Sequence, residues 1–211
     1  RVPEGDNGHW KVVDGVIDYD ARSEAPGQKH LWSDREYGDF VLEFETMTDP
    51  ALNSGVQIRS HRYAEGAVTP TFDGKQIVAK PQPAGRVYGY QVEIANEKSG
   101  ASGGIYDEAR RGWLHNIDSD PVASKAFKDN QWNKYRVEAI GDRMRVWING
   151  VSCADVTDPL DQTGFIALQV HSYKGEKPAQ VRWRNIRIQD LGRHVWKSVW
   201  DGKTQNGWTP R

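Results

Sequence analysis

Four short stretches of the chain alternate apolar and polar residues with a period of two. They cover residues 40–45, 54–60, 88–94 and 164–171. Because successive side chains of a β-strand point to opposite faces, each stretch would form a strand with one apolar and one polar face. No segment shows a sustained 3.6-residue apolar period with helix caps, so the pattern predicts a sheet protein in which any helix is short.

Turn signals separate further strand-like segments. Asp14-Gly15, Gly141-Asp142 and Asn149-Gly150 stand between short runs rich in apolar residues. Such pairs supply the positive φ angles that two-residue hairpin turns require. About ten strands with alternating faces and no helical layer predict an all-β fold, an antiparallel two-sheet jelly-roll sandwich.

The apolar faces of these strands predict the core between the two sheets. Its expected members are Phe40, Leu42, Phe44, Val56, Ile58, Tyr90, Val92, Ile94, Val137, Val146, Ile148, Ile166, Leu168, Val170, Val181 and Trp183. Two long segments, residues 62–87 and 97–131, contain several Pro and Gly residues and interrupt the strands. Long loops in compact domains often carry function, so we expect these two either to border a site or to be surface decoration.

The size and charge of the chain limit what it can bind. Its 211 residues fit one domain, and its 28 basic and 29 acidic residues give a net charge of −1. A balanced charge offers no field to hold nucleic acid or an anionic membrane surface, and no stretch approaches the roughly 20 apolar residues of a membrane span. The single cysteine, Cys153, excludes an internal disulfide. The start at Arg1 indicates a chain that has been trimmed or processed.

The polar faces of the alternating stretches are expected to share one outer surface. Their residues are Glu43, Glu45, Gln57, Arg59, Gln91, Glu93, Gln169 and His171. A solvated sheet surface normally mixes Lys, Thr, Ser and Glu, whereas this set has three glutamines and no lysine. Amides and a guanidinium match hydroxyl and carbonyl oxygens in fixed geometry, and carboxylates can act as acid or base. The set predicts a site for a polyol such as a sugar.

His171 admits several roles. A histidine at a strand end is often a structural hydrogen-bonding group, but the polar residues on the same predicted face favour a functional role. Together with Glu43 and Glu93 it could bind a divalent metal, because imidazole and carboxylates form a workable ligand set. No local metal-binding motif supports that set, so a metal stays an open alternative.

A second cluster of chemically active residues follows two glycines. Gly103-Gly104 lets the backbone turn sharply before a dense group of tyrosine, acids and arginines. The turn could bring Tyr106, Asp107 or Arg110 over the polar face. The alternative is a local salt-bridged turn without a binding role.

Several blocks of the chain match a known family in order and spacing. They are Tyr37-Gly38-Asp39-Phe40, Asn53-Ser54-Gly55-Val56-Gln57-Ile58-Arg59, Gly89-Tyr90-Gln91-Val92-Glu93-Ile94, Gly104-Ile105-Tyr106-Asp107-Glu108, Leu168-Gln169-Val170-His171 and Trp183-Arg184-Asn185-Ile186-Arg187-Ile188. These blocks, over residues 9–191, resemble the 3-keto-disaccharide hydrolase family. Its members have a concanavalin A-like lectin/glucanase sandwich, are common in glycan-degrading bacteria and are often exported. The resemblance implies that fold and a periplasmic or extracellular location.

The resemblance also implies a chemistry. Its substrates are glycosides with a ketone at C3, which acidifies the C2 proton, so that a base can remove it and the C1 substituent can leave before water adds. Glu93 or His171 is then the expected base, and both are expected to be catalytic. The residues expected to bind or polarise substrate oxygens are Glu43, Gln57, Arg59, Gln91, Tyr106, Asp107 and Gln169. A divalent metal held by Glu43, Glu93 and His171 is the alternative source of polarisation.

The chain departs from the family pattern at two places. Many members read Glu-Val-Gln where this chain reads Gln91-Val92-Glu93, which exchanges the acid and the amide. Residues 196–211 resemble the strand block that normally opens the family domain. We expect this tail to open a tandem copy, or to complete this sandwich or a neighbour's by permutation or strand swapping.

A non-catalytic carbohydrate-binding module is the main alternative, because the same sandwich hosts lectins. Trp32 and Trp113 lie outside the clear strands and are the best candidates for stacking on sugar rings, whereas most of the nine Trp residues should pack in the core. An ordinary retaining or inverting glycosidase and a structural interaction domain also stay open. A glycoside or oligosaccharide is the expected partner for all of these functions except the structural interaction domain.

Overall fold

The computed structural model describes residues 10–21, 29–73 and 75–194. These ranges contain fifteen strands and one turn of 3-10 helix, Ala123–Lys125. The strands are β1 (Trp10–Val13), β2 (Val16–Ala21), β3 (Lys29–Tyr37), β4 (Asp39–Thr48), β5 (Ser54–Arg62), β6 (Val68–Phe72), β7 (Ile77–Pro81), β8 (Val87–Ile94), β9 (Ile105–Glu108), β10 (Gly112–His115), β11 (Asn133–Ile140), β12 (Arg143–Ile148), β13 (Val151–Thr157), β14 (Gly164–Val170) and β15 (Ala179–Gly192). Nothing helical in the described ranges is long and apolar enough to span a bilayer.

The strands form two large sheets and one separate hairpin. The seven-stranded sheet has the order β1-β2-β15-β4-β11-β12-β13, and the six-stranded sheet has the order β10-β9-β8-β5-β14-β3. Within the described part, β6 and β7 pair only with each other. Every pairing is antiparallel. The predicted antiparallel two-sheet jelly-roll sandwich is confirmed.

Alternating side chains pack the two sheets together. In β4, Phe40, Leu42 and Phe44 are buried, and the residues between them are more exposed. Phe44 stacks on Tyr135 of β11 with ring centroids 4.8 Å apart. The predicted core residues are all buried except Ile166, which is partly buried at a register shift in β14. The period of two therefore identifies the apolar surface whose burial drives folding.

The predicted hairpin turns form where the sequence allows a positive φ. Asp14 and Gly15 have φ angles of 51° and 76° and join β1 to β2. Asn149 and Gly150 have φ angles of 51° and 84° and join β12 to β13. Asn, Asp and Gly tolerate this region better than other residues, so these dipeptides fix where each hairpin turns.

The sequence had suggested that the two long segments are loops, but both contain secondary structure. Residues 62–87 contain the β6–β7 hairpin, and residues 97–131 contain β9, β10 and the 3-10 turn. The strand prediction also omits β3. β9 and β10 have four residues each and β6 contains Pro70, so none of them gives a long alternating pattern. Because β3, β9 and β10 extend the six-stranded sheet, they enlarge its outer face.

The block at residues 196–211 lies outside the described ranges. A tandem copy, a permutation and a strand swap therefore all stay predictions. The assignment of residues 1–211 to one domain and the export of the protein stay predictions as well.

Candidate functional site

Two rows of side chains run across the outer face of the six-stranded sheet, and neighbours within a row are directly opposite each other on adjacent strands. The first row consists of His30, Gln169, Gly55 and Glu93. The second row consists of Trp32, Ala167, Gln57, Gln91, Tyr106 and Trp113. Residues between the rows, such as Val56 and Val92, are buried in the core instead. We call these two rows the glutamine face. It has amides in its centre and a tryptophan at each edge.

Three glutamines of this face share one hydrogen-bond network. Gln57 Nε2 and Gln169 Nε2 both donate to Gln91 Oε1, at 2.6 and 2.7 Å. Gln91 Nε2 in turn donates to Glu93 Oε2 at 2.9 Å. Asn53 Nδ2 donates to the other carboxylate oxygen, Glu93 Oε1, at 2.5 Å. Because a carboxylate only accepts hydrogen bonds, Gln91 must turn its nitrogen towards Glu93, and its oxygen then faces the nitrogens of Gln57 and Gln169.

Glu93 is a buried carboxylate at the end of this network, with 7% of its surface exposed. Burial raises the pKa of Glu93, although hydrogen bonds from Asn53 and Gln91 act to lower that pKa. Two nearby charges act as well, because Glu108 raises the pKa of Glu93 and His171 lowers it. A carboxylate with a raised pKa binds a proton more strongly than an ordinary glutamate, which makes it a better base.

A second buried carboxylate, Glu108, lies on the same side of the sheet. It is opposite Gly89 in the pairing of β8 with β9, and it is two residues from Tyr106. Burial raises the pKa of Glu108, against the charge of Arg86, whose Nη2 lies 3.5 Å from Glu108 Oε1. Burial also raises the pKa of the Tyr106 hydroxyl, and the charge of Glu108 adds to this. Sequence reasoning missed Glu108 as a site residue, although alternation along β9 places it on the same face as Tyr106.

His171 lies at the rim of the glutamine face, directly after the end of β14. Its backbone nitrogen donates to Asn53 O at 3.0 Å, so the chain is fixed beside a residue that binds Glu93. The imidazole is exposed, and its Nδ1 lies 3.2 Å from Ser172 Oγ. Its charge lowers the pKa of both Glu93 and Glu108. The contact with Asn53 and these charge effects place His171 on the Glu93 side of the rim, and its catalytic role stays a prediction.

Glu43 and Glu45 do not belong to this face, and the prediction that they share it is wrong. Both lie on β4 in the seven-stranded sheet and point away from the core. Glu43 forms ion pairs with Arg136 at 2.9 Å and with Arg187 at 2.6 Å, and Glu45 forms one with Arg184 at 2.7 Å. Hydrogen bonds from Arg136 and Arg187 lower the pKa of Glu43. Alternation identifies an outer face but not the sheet to which that face belongs.

Arg59 is not on the glutamine face either. The register of β5 shifts after Ile58, and Arg59 has a φ of 45°, so a bulge turns its side chain inward. The fully buried guanidinium donates to Gly38 O at 2.9 Å and to Gly141 O at 2.7 Å. Its Nη2 also pairs with Asp39 Oδ1 at 3.1 Å. The donors that were expected to bind a sugar are used within the fold.

Asp107 also points inward, opposite Tyr90 in the pairing of β8 with β9. It is fully buried and forms ion pairs with Arg110 at 2.8 Å and Arg111 at 2.5 Å. The salt-bridged turn is therefore the correct alternative for Asp107 and Arg110. Tyr106 lies on the glutamine face as expected, because neighbouring residues of a strand point to opposite sides.

The metal-binding set that the sequence left open, Glu43, Glu93 and His171, is not assembled. Glu43 lies on the opposite sheet from Glu93 and His171. Among the described residues, no group of three or more His, Cys, Asp or Glu side chains could hold a metal ion. His171 nevertheless lowers the pKa of both Glu93 and Glu108, and Glu108 raises the pKa of Glu93, and charge effects of this kind suit proton transfer.

Two antiparallel sheets packed face to face, one of them with an amide-rich outer face, define a jelly-roll sandwich. The chain belongs to the 3-keto-alpha-glucoside-1,2-lyase-like domain family, whose model matches residues 2–189. This membership indicates a glycoside-related function. No curated protein matches the chain in sequence.

Solved structures share the fold at low sequence identity. A candidate glycosyl hydrolase from Parabacteroides distasonis is 20% identical with a TM-score of 0.52, over 89% of this chain and 93% of that chain. The carbohydrate-binding module CBM66 from Bacillus subtilis is 15% identical with a TM-score of 0.55, over 87% of this chain and 92% of that chain. A protein of unknown function with a galectin-like fold, also from Bacillus subtilis, is 9% identical with a TM-score of 0.55, over 88% of each chain. At these identities the likeness establishes the fold alone.

Proposed function

We propose that this protein cleaves 3-keto-glycosides by elimination and hydration, with Glu93 as the base. The observation that carries the proposal is the state of Glu93, a buried carboxylate with a raised pKa that Asn53 and Gln91 hold in one orientation. A base that removes a proton from carbon gains from both properties. Membership of the 3-keto-alpha-glucoside-1,2-lyase-like family supports the substrate class.

The proposed reaction runs over the glutamine face. Glu93 takes the C2 proton, and the electron pair of the C2–H bond forms an enolate with the C3 ketone. The enolate collapses to a C1=C2 double bond as the C1–O bond breaks, and His171 gives a proton to the leaving oxygen. Tyr106, whose raised pKa keeps its hydroxyl protonated, donates a hydrogen bond to the C3 oxygen while charge develops there. Water then adds at C1 and a proton returns to C2.

The exchange of acid and amide on β8 fits this assignment. Both ends of the Gln91 amide are engaged, because its oxygen accepts from Gln57 and Gln169 and its nitrogen donates to Glu93. Glu93 lies at the end of the network, beside the rim where His171 is exposed. In this proposal Gln91 is a positioning residue and Glu93 is the catalytic one.

The proposal is tested with α- and β-4-nitrophenyl glucosides, each oxidised at C3 and each compared with its unoxidised parent. Wild-type protein should release nitrophenol only from an oxidised substrate, and should exchange the C2 hydrogen of that substrate in D₂O. Glu93→Gln should lower kcat by at least about 100-fold, because a positioned general base contributes on that order. His171→Ala should slow nitrophenol release more than C2 exchange, because in the proposed reaction His171 protonates the leaving oxygen.

A matched control comes from the opposite sheet. Glu45→Gln makes the same acid-to-amide change on β4, away from the glutamine face, and should keep wild-type turnover. Undiminished turnover by Glu93→Gln would refute the assignment of the base. Release of nitrophenol from the unoxidised glucosides would refute the substrate class and indicate an ordinary glycosidase.

A non-catalytic saccharide-binding role is the second candidate. The glutamine face has Trp32 at one edge and Trp113 at the other, and Trp113 is 41% exposed with its ring edge-on to Tyr106 at 5.2 Å. Exposed aromatic rings beside hydrogen-bonding groups are typical of saccharide binders. A protein of this kind would bind unoxidised oligosaccharides in calorimetry and would turn over none of the oxidised glucosides.

A further inference from the structure

Two buried polar atoms at the β3 edge of the glutamine face have no hydrogen-bond partner. They are Nε2 of His30 and Oε1 of Gln169, and the two residues are direct neighbours in the pairing of β3 with β14. His30 is 8% exposed and Gln169 is fully buried. Unpaired polar atoms at such depth are rare because burial removes the water that would otherwise bind them. Two of them side by side indicate a missing partner.

The hydrogen-bonding capacity of these atoms defines that partner. Gln169 Oε1 is an acceptor, because the amide nitrogen of Gln169 already donates to Gln91 Oε1 at 2.7 Å. Burial lowers the pKa of His30, so its ring is neutral and Nε2 can carry a hydrogen. One hydroxyl group can donate to the amide oxygen and accept from the imidazole at the same time. The amide oxygen would repel an anion, and the neighbouring Ala167 and Gly55 supply no carboxylate for a cation.

An indole ring lies on the same strand face as His30, and its neighbours border a cleft. Trp32 lies two residues from His30 on the same face of β3 and is half-buried. The exposed Arg62 lies over the Trp32 ring at 4.9 Å, and Phe165 packs against that ring at 6.0 Å. Arg62 and Phe165 also line an open cleft of about 620 Å³. An indole ring beside a hydroxyl-binding pair matches a pyranose, which has one apolar face and hydroxyls at its edge.

The position of these groups places them beyond the sugar that Glu93 would contact. His30 and Glu93 are at opposite ends of the first row, separated by three strand spacings. At about 4.8 Å for each spacing, their backbones are about 14 Å apart, which is longer than one pyranose ring. We propose that His30, Gln169 and Trp32 form a second saccharide subsite, which binds a sugar unit remote from the ketone of an extended 3-keto-glycoside. That the bound substrate carries a ketone rests on the proposed function, whereas the binding of a saccharide at this edge does not.

The subsite is tested by comparing a long and a short substrate on the same variants. Maltotriose, cellotriose and both anomers of 4-nitrophenyl glucoside are oxidised at C3 of the terminal glucose, and kcat/KM is measured for each. His30→Phe and Trp32→Ala should each lower the ratio of the trisaccharide kcat/KM to the nitrophenyl-glucoside kcat/KM by at least tenfold, chiefly through KM. Glu45→Gln, on the opposite sheet, should keep the wild-type ratio. The Tm of His30→Phe should not fall, because the change removes an unpaired buried atom, and this separates lost binding from unfolding.

The outcomes separate the subsite from the proposed reaction. A wild-type ratio in both variants overturns the subsite, and an ordered water shared by His30 and Gln169 is then their partner. Wild-type protein that turns over none of the four oxidised substrates refutes the proposed function alone. The subsite is then judged by calorimetric titration with unoxidised maltotriose and cellotriose. Weaker binding by His30→Phe supports it, whereas equal binding by the variant, or no binding by wild type, overturns it.

Discussion

Gln91 Nε2 donates a hydrogen bond to Glu93 Oε2 at 2.9 Å, from a position two residues earlier on the same strand. Residues at i and i+2 of a strand share a face, so this bond links neighbours along β8. The oxygen of the Gln91 amide accepts from Gln57 and Gln169 on two further strands. The orientation of the carboxylate is thus coupled to side chains across three strands of the sheet, and changes in this network should reach Glu93.

Glu108→Gln should lower the pKa of Glu93. The negative charge of Glu108 raises that pKa, and the amide removes the charge while keeping the size of the side chain. If ionised Glu93 is the base, the acidic limb of the kcat/KM profile should move to lower pH in the variant. A carbon-13 NMR titration of the Glu93 carboxyl should shift in the same direction. A shift to higher pH, or no shift, would contradict the charge coupling.

The sequence alone predicts most of the sandwich because the strongest strands alternate without interruption. The burial of Phe40, Leu42 and Phe44 follows directly from the period of two along β4. The same period cannot assign a strand to a sheet, which depends on long-range pairing. Glu43 and Glu93 therefore look equivalent in sequence although they lie on opposite sheets.

The candidate site is predicted only where the backbone is regular. Gln57, Gln91, Glu93 and Gln169 lie on uninterrupted parts of β5, β8 and β14, and the structure brings them together. Arg59 follows a bulge, which reverses the alternation and turns the side chain inward. A bulge leaves no clear signal in a single sequence, because Arg59 at a φ of 45° is an unusual residue for that conformation.

Arg59→Met should lower the free energy of unfolding by about 3–5 kcal/mol, which is typical when one partner of a buried ion pair is removed. The change would leave buried Asp39 without its guanidinium partner and would leave two backbone carbonyls without a donor. Urea denaturation near neutral pH measures the loss. Arg143→Met removes an exposed ion pair with Asp155 and should change stability little. Equal losses in the two variants would contradict the structural role of Arg59.

Acid should destabilise the fold through His30. Burial lowers the pKa of His30 from 6.5 to about 4, so the folded state holds the ring neutral and unfolding takes up a proton. The stability that depends on neutral His30 is present above pH 6.5 and is lost as the pH falls towards about 4. The phenylalanine of His30→Phe cannot titrate. Between pH 6.5 and about 4, the free energy of unfolding of this variant should therefore fall by roughly 3 kcal/mol less than that of wild type. Urea denaturation at several pH values measures this, and equal acid sensitivity of the two proteins would contradict the burial of the ring.

Gly55→Ala should disturb the network without changing any of its members. Gly55 lies between Gln169 and Glu93 in the first row, and an added Cβ would lie 2.7 Å from Cγ and Cδ of Gln91. That distance is too short for two carbon atoms, so the Gln91 side chain must move, and its hydrogen bond to Glu93 should weaken. Overpacking of this kind destabilises a fold by about 1–3 kcal/mol.

The pH dependence of Gly55→Ala distinguishes a loss of positioning from a loss of packing. The hydrogen bond from Gln91 lowers the pKa of Glu93, so weakening it should raise that pKa. The acidic limb of kcat/KM should then move to higher pH, opposite in direction to the shift expected for Glu108→Gln. Lower stability with an unmoved acidic limb would mean that Gly55 serves packing alone. A shift of the acidic limb to higher pH, measured on folded protein well below its Tm, would show that the amide network sets the pKa of the base.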